Sequence, residues 1–273
     1  MLSYNKRYLA DAFAKYLTED NPQVEWGVSK GLKRFDFSKD FYFLDTGPFR
    51  YSNKFKPGHN AGTKHHRIIK NAFQAIECST EEEIFKKVGK EYALEKFKKC
   101  FKDSNNKQSK RELAENVYND WKAPEQKQGK NILLCEDFHI KCFFDHKYHD
   151  IVCEQWLNKT YNQISPDSKI IIRKKPTPEE RVKSRVLKQQ LIEDDIKLVV
   201  SFSSFVGLHS ILEGTPAIML GPSCASSLSS KRLKDIHEPY YPSAKKLKNK
   251  LLYLTNTQFT ENEILNGTAT EKV

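Results

Sequence analysis

The chain has 273 residues, of which 38% are hydrophobic and 12% aromatic, so it is long and apolar enough to bury a core without metal or disulfide staples. This composition excludes a disordered tail and a collagen-like or coiled-coil chain. Lys and Arg number 46 against 35 Asp and Glu, and the net charge of +11 favours an anionic partner: nucleic acid, a phosphorylated small molecule or an anionic membrane.

The sequence predicts neither a membrane span nor a signal peptide. No stretch approaches about 18 consecutive apolar residues, and the first seven residues lack the apolar run of a signal peptide. We therefore expect a cytoplasmic protein. Its six cysteines are scattered, with no pair at two-residue metal spacing, and we expect reduced thiols.

The first half of the chain has an irregular pattern. Apolar spacing predicts a helix over residues 4–17, and apolar runs predict strands at 24–27 and 41–44. Residues 46–66 are rich in Gly and Pro and poor in apolar groups, so we expect a long, functional loop. A charged amphipathic helix is predicted over 81–102.

The second half alternates short apolar runs with helical patterns. Strands are predicted at 131–135, 169–173, 196–200 and 217–220, with helices over 148–163, from 178 onward, and ending near 213. Gly214 and Pro216 suit the end of that last helix. Continuous apolar runs joined by helices are typical of a parallel sheet covered on both faces, and such α/β sheets bind ligands at the carboxyl ends of their strands.

Polar residues follow two of these predicted strands. Ser201, Ser203 and Ser204 join a strand to a helix, and hydroxyls beside unpaired helix N–H groups suit a phosphate. Arg173 and Lys175 follow another strand and suit the oxygens of a diphosphate. The structural alternatives stay open: serines that cap the helix, and a solvated basic turn.

Several motifs share one order along the chain. A strand, a Ser-x-x-Gly-Leu helix and Gly-x-Pro occur in succession at Ser204, Gly207, Leu208, Gly214 and Pro216. Residues 173–176 read Arg-x-Lys-Pro, and Trp-Gly, Asp-Thr-Gly-Pro-Phe and Arg-x-x-x-Asn stand at 26–27, 45–49 and 67–71. Together these motifs resemble GT-B glycosyltransferases, especially the branch shared by capsular-polysaccharide enzymes and phage-encoded enzymes.

The resemblance implies two Rossmann-like lobes, a smaller one at 1–125 on the acceptor side and one at 126–273 that binds a nucleotide-sugar, UDP-linked by family analogy. The residues predicted to bind the donor are Arg173, Lys175, Ser201, Ser203, Ser204, Gly207, His209 and Glu213. His209 stands where many relatives carry a ribose-binding Glu, and Glu213, one turn later, is either its substitute or a structural residue. No metal is implied, because no Asp-x-Asp pair stands at a strand end.

The acceptor side is predicted around Asp45 and the loop that follows it. Asp45 is expected to act as the general base on an acceptor hydroxyl, with an Asx-turn as the alternative. The predicted acceptor contacts are Arg50, Lys64, His65, His66 and Arg67. Phage enzymes of this branch glycosylate hydroxymethylated pyrimidines in DNA, and a basic, aromatic loop suits nucleic acid, so DNA is the expected acceptor.

Two other functions stay open. One is a glycosyltransferase that acts on a cell-surface polysaccharide or a lipid-linked acceptor, with its basic face toward an anionic membrane. The other is a non-catalytic nucleic-acid-binding protein on the same fold, because a fold does not determine a function.

Overall fold

The structure is a computed structural model of the chain. It describes residues 6–20, 22–27, 36, 38–50, 64–72, 79–101, 112–136, 149–164, 168–174 and 186–273. The chain divides into two compact units: the first combines Met1–Trp121 with Lys248–Val273, and the second is Lys122–Leu247. The end of the chain belongs to the first unit because a strand at Gln258–Thr260 hydrogen-bonds to a strand of that unit.

Eight strands and nine α-helices are found among the described residues. The strands are β1 (Gln23–Trp26), β2 (Phe41–Arg50), β3 (Lys64–Lys70), β4 (Asn131–Cys135), β5 (Ile170–Arg173), β6 (Ile196–Ser201), β7 (Ala217–Met219) and β8 (Gln258–Thr260). The helices are α1 (Arg7–Ala14), α2 (Glu81–Val88), α3 (Lys90–Phe101), α4 (Glu112–Asp120), α5 (His149–Gln163), α6 (Leu187–Glu193), α7 (Val206–Leu212), α8 (Ala244–Asn256) and α9 (Glu261–Leu265). In these parts of the chain, no helix is both long and apolar enough to span a bilayer.

The first unit contains a mixed sheet with the strand order β1-β2-β3-β8. β1 runs parallel to β2, whereas β2 and β3, and β3 and β8, are antiparallel. The sheet packs against α1 through Leu9 and Phe13, which contact Leu44 and Ile68. The first lobe was expected to be smaller and less regular than the second, and its sheet is mixed rather than all-parallel.

The predicted loop at 46–66 is wrong at both of its ends. β2 continues to Arg50 and β3 begins at Lys64, because these residues pair antiparallel, with Thr46 opposite His66 and Arg50 opposite Lys64. The intervening residues 51–63 lie outside the described chain. Position 47 requires glycine, because a Cβ there would collide with the side chain of Gln258 on β8.

The single helix predicted over 81–102 is two helices in the structure. Gly89 has φ of +88°, in the left-handed region that favours glycine, and it ends α2 before α3 begins. At the other end of α2, Thr80 and Glu83 form a capping box, each accepting the other's backbone N–H.

The second unit contains an all-parallel sheet with the order β5-β4-β6-β7. On one face Leu134 and Val200 pack with Leu157 of α5, and on the other Leu133 and Val199 pack with Leu191 of α6. The predicted α/β chain with a parallel sheet is therefore confirmed, and its four strands lie within one residue of the predicted bounds. The arrangement of two lobes stays a prediction, and the helix start at residue 178 lies outside the described chain.

Candidate functional site

The carboxyl edge of the parallel sheet contains a topological switch point. From β4 the chain passes to β5 on one side of β4 and then to β6 on its other side. The loops that leave β4 and β6 therefore run in opposite directions, and α/β sheets bind ligands in the crevice that this opens. Glu136 and Phe202 are the first residues beyond these two strands.

Arg173 lies at this edge as the last residue of β5. It pairs in register with Cys135 of β4, and its carbonyl accepts the N–H of Glu136 at 2.9 Å. Its guanidinium Nη1 donates to Oε1 of Gln190 on α6, so a helix behind the sheet holds the side chain. The neighbouring Lys175 lies outside the described residues.

The serines after β6 lie at the same edge. Ser201 and Ser203 are fully buried, and the carbonyls of Ser201 and Phe202 accept the N–H groups of Leu220 and Gly221, each at 2.9 Å. These bonds continue the β6–β7 pairing beyond the ends of both strands. Ser204 Oγ accepts the N–H of Val206, the first residue of α7, at 3.3 Å, whereas the N-cap position itself is held by Phe205, whose side chain forms no capping bond.

Gly207 and Glu213 have structural roles in the second unit. A Cβ at Gly207 would collide with Sδ of Met219, so glycine lets α7 pack closely on β7. The carboxylate of Glu213, at the end of α7, lies 3.1 Å from Nζ of Lys188 on α6. This ion pair between the two helices favours the structural alternative for Glu213. His209 is partly buried on α7. The predicted helix end at Gly214 is confirmed by its φ of +89°.

Sequence analysis missed a serine-rich loop beyond β7. The chain leaves the sheet after Met219 and returns at Ser230, which bridges to Ile218. Inside the loop, the N–H of Ser223 donates to Ser226 Oγ at 2.9 Å and the N–H of Ala225 donates to Ser223 Oγ at 3.2 Å. A run of five serines between 223 and 230, directly after a predicted strand, was the available signal.

Asp45 lies within β2 rather than at a strand end. It faces Arg67 of β3, whose Nη2 is 3.1 Å from Asp45 Oδ2, while Asp45 Oδ1 accepts the N–H of Thr46 at 2.6 Å. Arg67 is 2% exposed and the Asp45 side chain 22%. The pair thus joins a buried cation to a carboxylate that solvent still reaches.

His65 and His66 also lie on β3, with side chains about 1% exposed. Burial, with the positive charge of Lys96, lowers the pKa of His65 to about 3. His66 Nε2 lies 3.2 Å from Nζ of Lys6. The expectation that His65, His66 and Arg67 contact an acceptor from an exposed loop is therefore corrected, because strand pairing with β2 and β8 buries them. The side chains of Arg50 and Lys64 lie outside the described residues.

A buried lysine joins the end of the chain to α3 in the first unit. Lys96 is 1% exposed, and its Nζ donates to the carbonyl of Gln258 at 2.6 Å and to the Glu263 carboxylate at 2.9 Å. Burial lowers the pKa of Lys96. Burial acts to raise the pKa of Glu263, but Lys96 and the N–H of Thr260 outweigh it and the pKa is lowered.

The first unit also contains a cavity of about 330 Å³ between β3, α2 and the end of α8. Ile68, Ile84 and Val88 form apolar parts of its wall, and Lys87 and Asn256 contribute polar groups. None of the predicted site residues whose side chains the structure describes lines this cavity.

Comparisons of the sequence with known protein families and with curated proteins give no match. Among solved structures, one similar chain is Thermosulfurimonas dismutans KpsC, beta Kdo 2,7 transferase, at 16% identity and a TM-score of 0.44, covering 91% of this chain and 84% of that one. Another is Thermosulfurimonas dismutans KpsC, beta Kdo 2,4 transferase, at 13% identity and a TM-score of 0.39, covering 83% and 78%.

Proposed function

We propose that this protein is a nucleotide-sugar-dependent glycosyltransferase with its donor site at the carboxyl edge of the second unit's sheet. The observation that carries the proposal is the position of Arg173 and of Ser201–Ser204 at the carboxyl ends of the two strands that flank β4, beside the switch point. The motif at Ser204, Gly207, Gly214 and Pro216, which resembles GT-B glycosyltransferases, supports the same function.

Arg173 is the proposed ligand of the donor phosphates. Its planar guanidinium can donate to two phosphate oxygens at once, and its charge offsets the charge that develops as the sugar–phosphate bond breaks. Ser204 is proposed to assist, because a hydroxyl that accepts one hydrogen bond still has a proton to donate. Lys175, Ser201 and Ser203 remain proposed donor contacts, and UDP remains the proposed nucleotide.

Asp45 is the proposed general base. In the reaction, the acceptor oxygen forms a bond to the anomeric carbon, the bond from that carbon to phosphate breaks, and the base takes the acceptor's proton. The Asp45 carboxylate accepts one bond on each oxygen, from Thr46 and Arg67, and each oxygen keeps a second lone pair for an acceptor hydroxyl.

For the acceptor, we favour a cell-surface polysaccharide or lipid-linked saccharide over DNA. The expectation of DNA depended in part on basic residues in an exposed loop, and three of the predicted acceptor contacts, His65, His66 and Arg67, are buried on β3. The exposed basic side chains of the second unit include Lys231, Arg232, Lys234, Lys245 and Lys246. These suit an acidic saccharide or an anionic lipid surface.

Thermal unfolding with a panel of UDP, GDP, dTDP, CMP and their sugar conjugates tests the donor site. A ligand at 100 times its dissociation constant stabilises the folded state by about 2.7 kcal/mol. We expect one nucleotide to raise the melting temperature of the wild type and to lose most of this effect in Arg173→Gln. Lys188→Gln, an exposed change on the adjacent helix, is the matched control.

The acceptor is tested with the donor that this panel selects. Transfer of labelled sugar to acidic oligosaccharides or lipid-linked saccharides, and not to hydroxymethylated duplex DNA, is the expected result. Transfer to DNA alone would overturn the proposed acceptor. Salt-sensitive DNA binding with no stabilisation by any nucleotide would overturn the transferase function and favour the non-catalytic DNA-binding protein.

A further inference from the structure

Gln190 is a buried amide whose two ends are both hydrogen-bonded. It is 5% exposed on α6, its Oε1 accepts from Nη1 of Arg173, and its Nε2 donates to Oδ2 of Asp194 at 3.0 Å. The two partners determine the orientation of the amide. A flipped amide would place N–H groups against the guanidinium and an oxygen against the carboxylate.

This amide holds Arg173 without adding a negative charge beside it. A carboxylate in the same place would form an ion pair with the guanidinium and compete with an anionic ligand for its N–H groups. The charge of Asp194 instead lies on the far side of the amide. Gln190 therefore restricts the rotamers of a long side chain at the sheet edge while leaving its charge unchanged, and preorganisation of this kind favours ligand binding.

We propose that Gln190 is a positioning residue for the phosphates of the donor, acting through Arg173. This inference rests on the proposed function, in which Arg173 binds those phosphates. Gln190 itself touches no ligand. Its contribution is to hold the guanidinium of Arg173, the last residue of β5, in one orientation.

The adjacent residue offers a matched control. Gln189 lies on the same helix, is exposed, and donates to Glu193 at 2.7 Å. The test uses Gln190→Met and Gln189→Met, since Met keeps a similar length and helix propensity without the amide. Isothermal titration measures binding of the nucleotide that stabilises the wild type, and of the matching nucleoside without phosphate.

We expect Gln190→Met to weaken nucleotide binding about tenfold, equivalent to about 1.4 kcal/mol, and to leave nucleoside binding unchanged. Gln189→Met should bind both as the wild type does. Equal nucleotide affinities for the two variants, while Arg173→Gln weakens binding, would overturn the positioning role and leave the proposed function standing. No nucleotide binding by the wild type would overturn both.

A double variant separates positioning from a merely structural role. If Gln190 acts through Arg173, then Gln190→Met causes no further loss in an Arg173→Gln background. An equal loss in both backgrounds would overturn the inference, because it would show an effect that does not pass through Arg173. Should Gln190→Met fail to fold, Gln190→Glu keeps the size of the side chain and is expected to weaken nucleotide binding only when Arg173 is present.

Discussion

Arg67 and Asp45 face each other across β2 and β3, with 3.1 Å between Nη2 and Oδ2. Arg67 is the more buried partner, at 2% exposure. Removing the carboxylate would leave a buried guanidinium without its counter-charge, which is more costly than losing the pair itself. This pair therefore links the proposed base to the stability of the first unit's sheet.

Asp45→Asn tests that link. We expect a loss of about 1–3 kcal/mol in the free energy of unfolding, measured by urea denaturation, because a hydrogen bond to a charged group is lost. Asp40→Asn is the control, since Asp40 is 53% exposed and pairs with Lys70 at the surface, where solvent screening leaves such pairs little effect on stability. Equal stability of Asp45→Asn and the wild type would show that Arg67 does not depend on Asp45.

Lys96→Met should destabilise the first unit strongly. It removes the buried partner of Glu263 and a donor to the Gln258 carbonyl, and breaking a buried pair costs about 3–5 kcal/mol. Lys90→Met, on the same helix with an exposed ion pair to Glu115, is expected to change the free energy of unfolding far less, because solvent screens an exposed pair. A similar, small effect of both changes in urea denaturation would contradict the structural role of Lys96.

Stability should decline in mild acid because of His65. Its pKa falls from 6.5 to about 3 on folding, so between these values the unfolded state binds more protons and stability falls as the pH falls. Between pH 7 and pH 5, the protonation of His65 in the unfolded state therefore lowers the free energy of unfolding by about 2 kcal/mol.

Replacing the imidazole tests this pH dependence. We expect His65→Gln to flatten the change in unfolding free energy between pH 7 and pH 5, and His237→Gln, at an exposed position, to leave it as in the wild type. A pH dependence that persists unchanged in His65→Gln would show that other groups cause it.

Gly207→Ala separates packing from ligand binding. The added Cβ would collide with Met219 on β7, and overpacking of this kind costs about 1–3 kcal/mol. We expect a lower melting temperature, partly restored by Met219→Ala in the same chain, with nucleotide affinity unchanged at temperatures where the variant is folded. A large loss of affinity without a loss of stability would instead return Gly207 to the donor site.

Local patterns predicted the second unit well. β4 to β7 are short apolar runs, and their length, order and bounding polar residues are visible within windows of a few residues. The position of Arg173 at a strand end follows from the same patterns. The role of Gln190 was not predicted. Gln189 and Gln190 are neighbours on one helix, and the sequence does not show which of the two glutamines is buried.

The first unit shows what depends on tertiary structure. His65, His66 and Arg67 are polar and lie near Gly and Pro, which predicts a loop, yet pairing with β2 and with the distant β8 makes them a buried strand. Lys96 and Glu263 are 167 residues apart in the chain. They form a buried pair because the tertiary fold brings the end of the chain into the first unit.

The sequence by itself thus determined the apolar strands of the second unit, the helix end at Gly214 and the charge of this protein, because those are set by neighbouring residues. Only the tertiary structure decided which charged groups are buried and with which partners. Burial and pairing depend on segments far apart in the chain, and their contacts leave no local periodic signal.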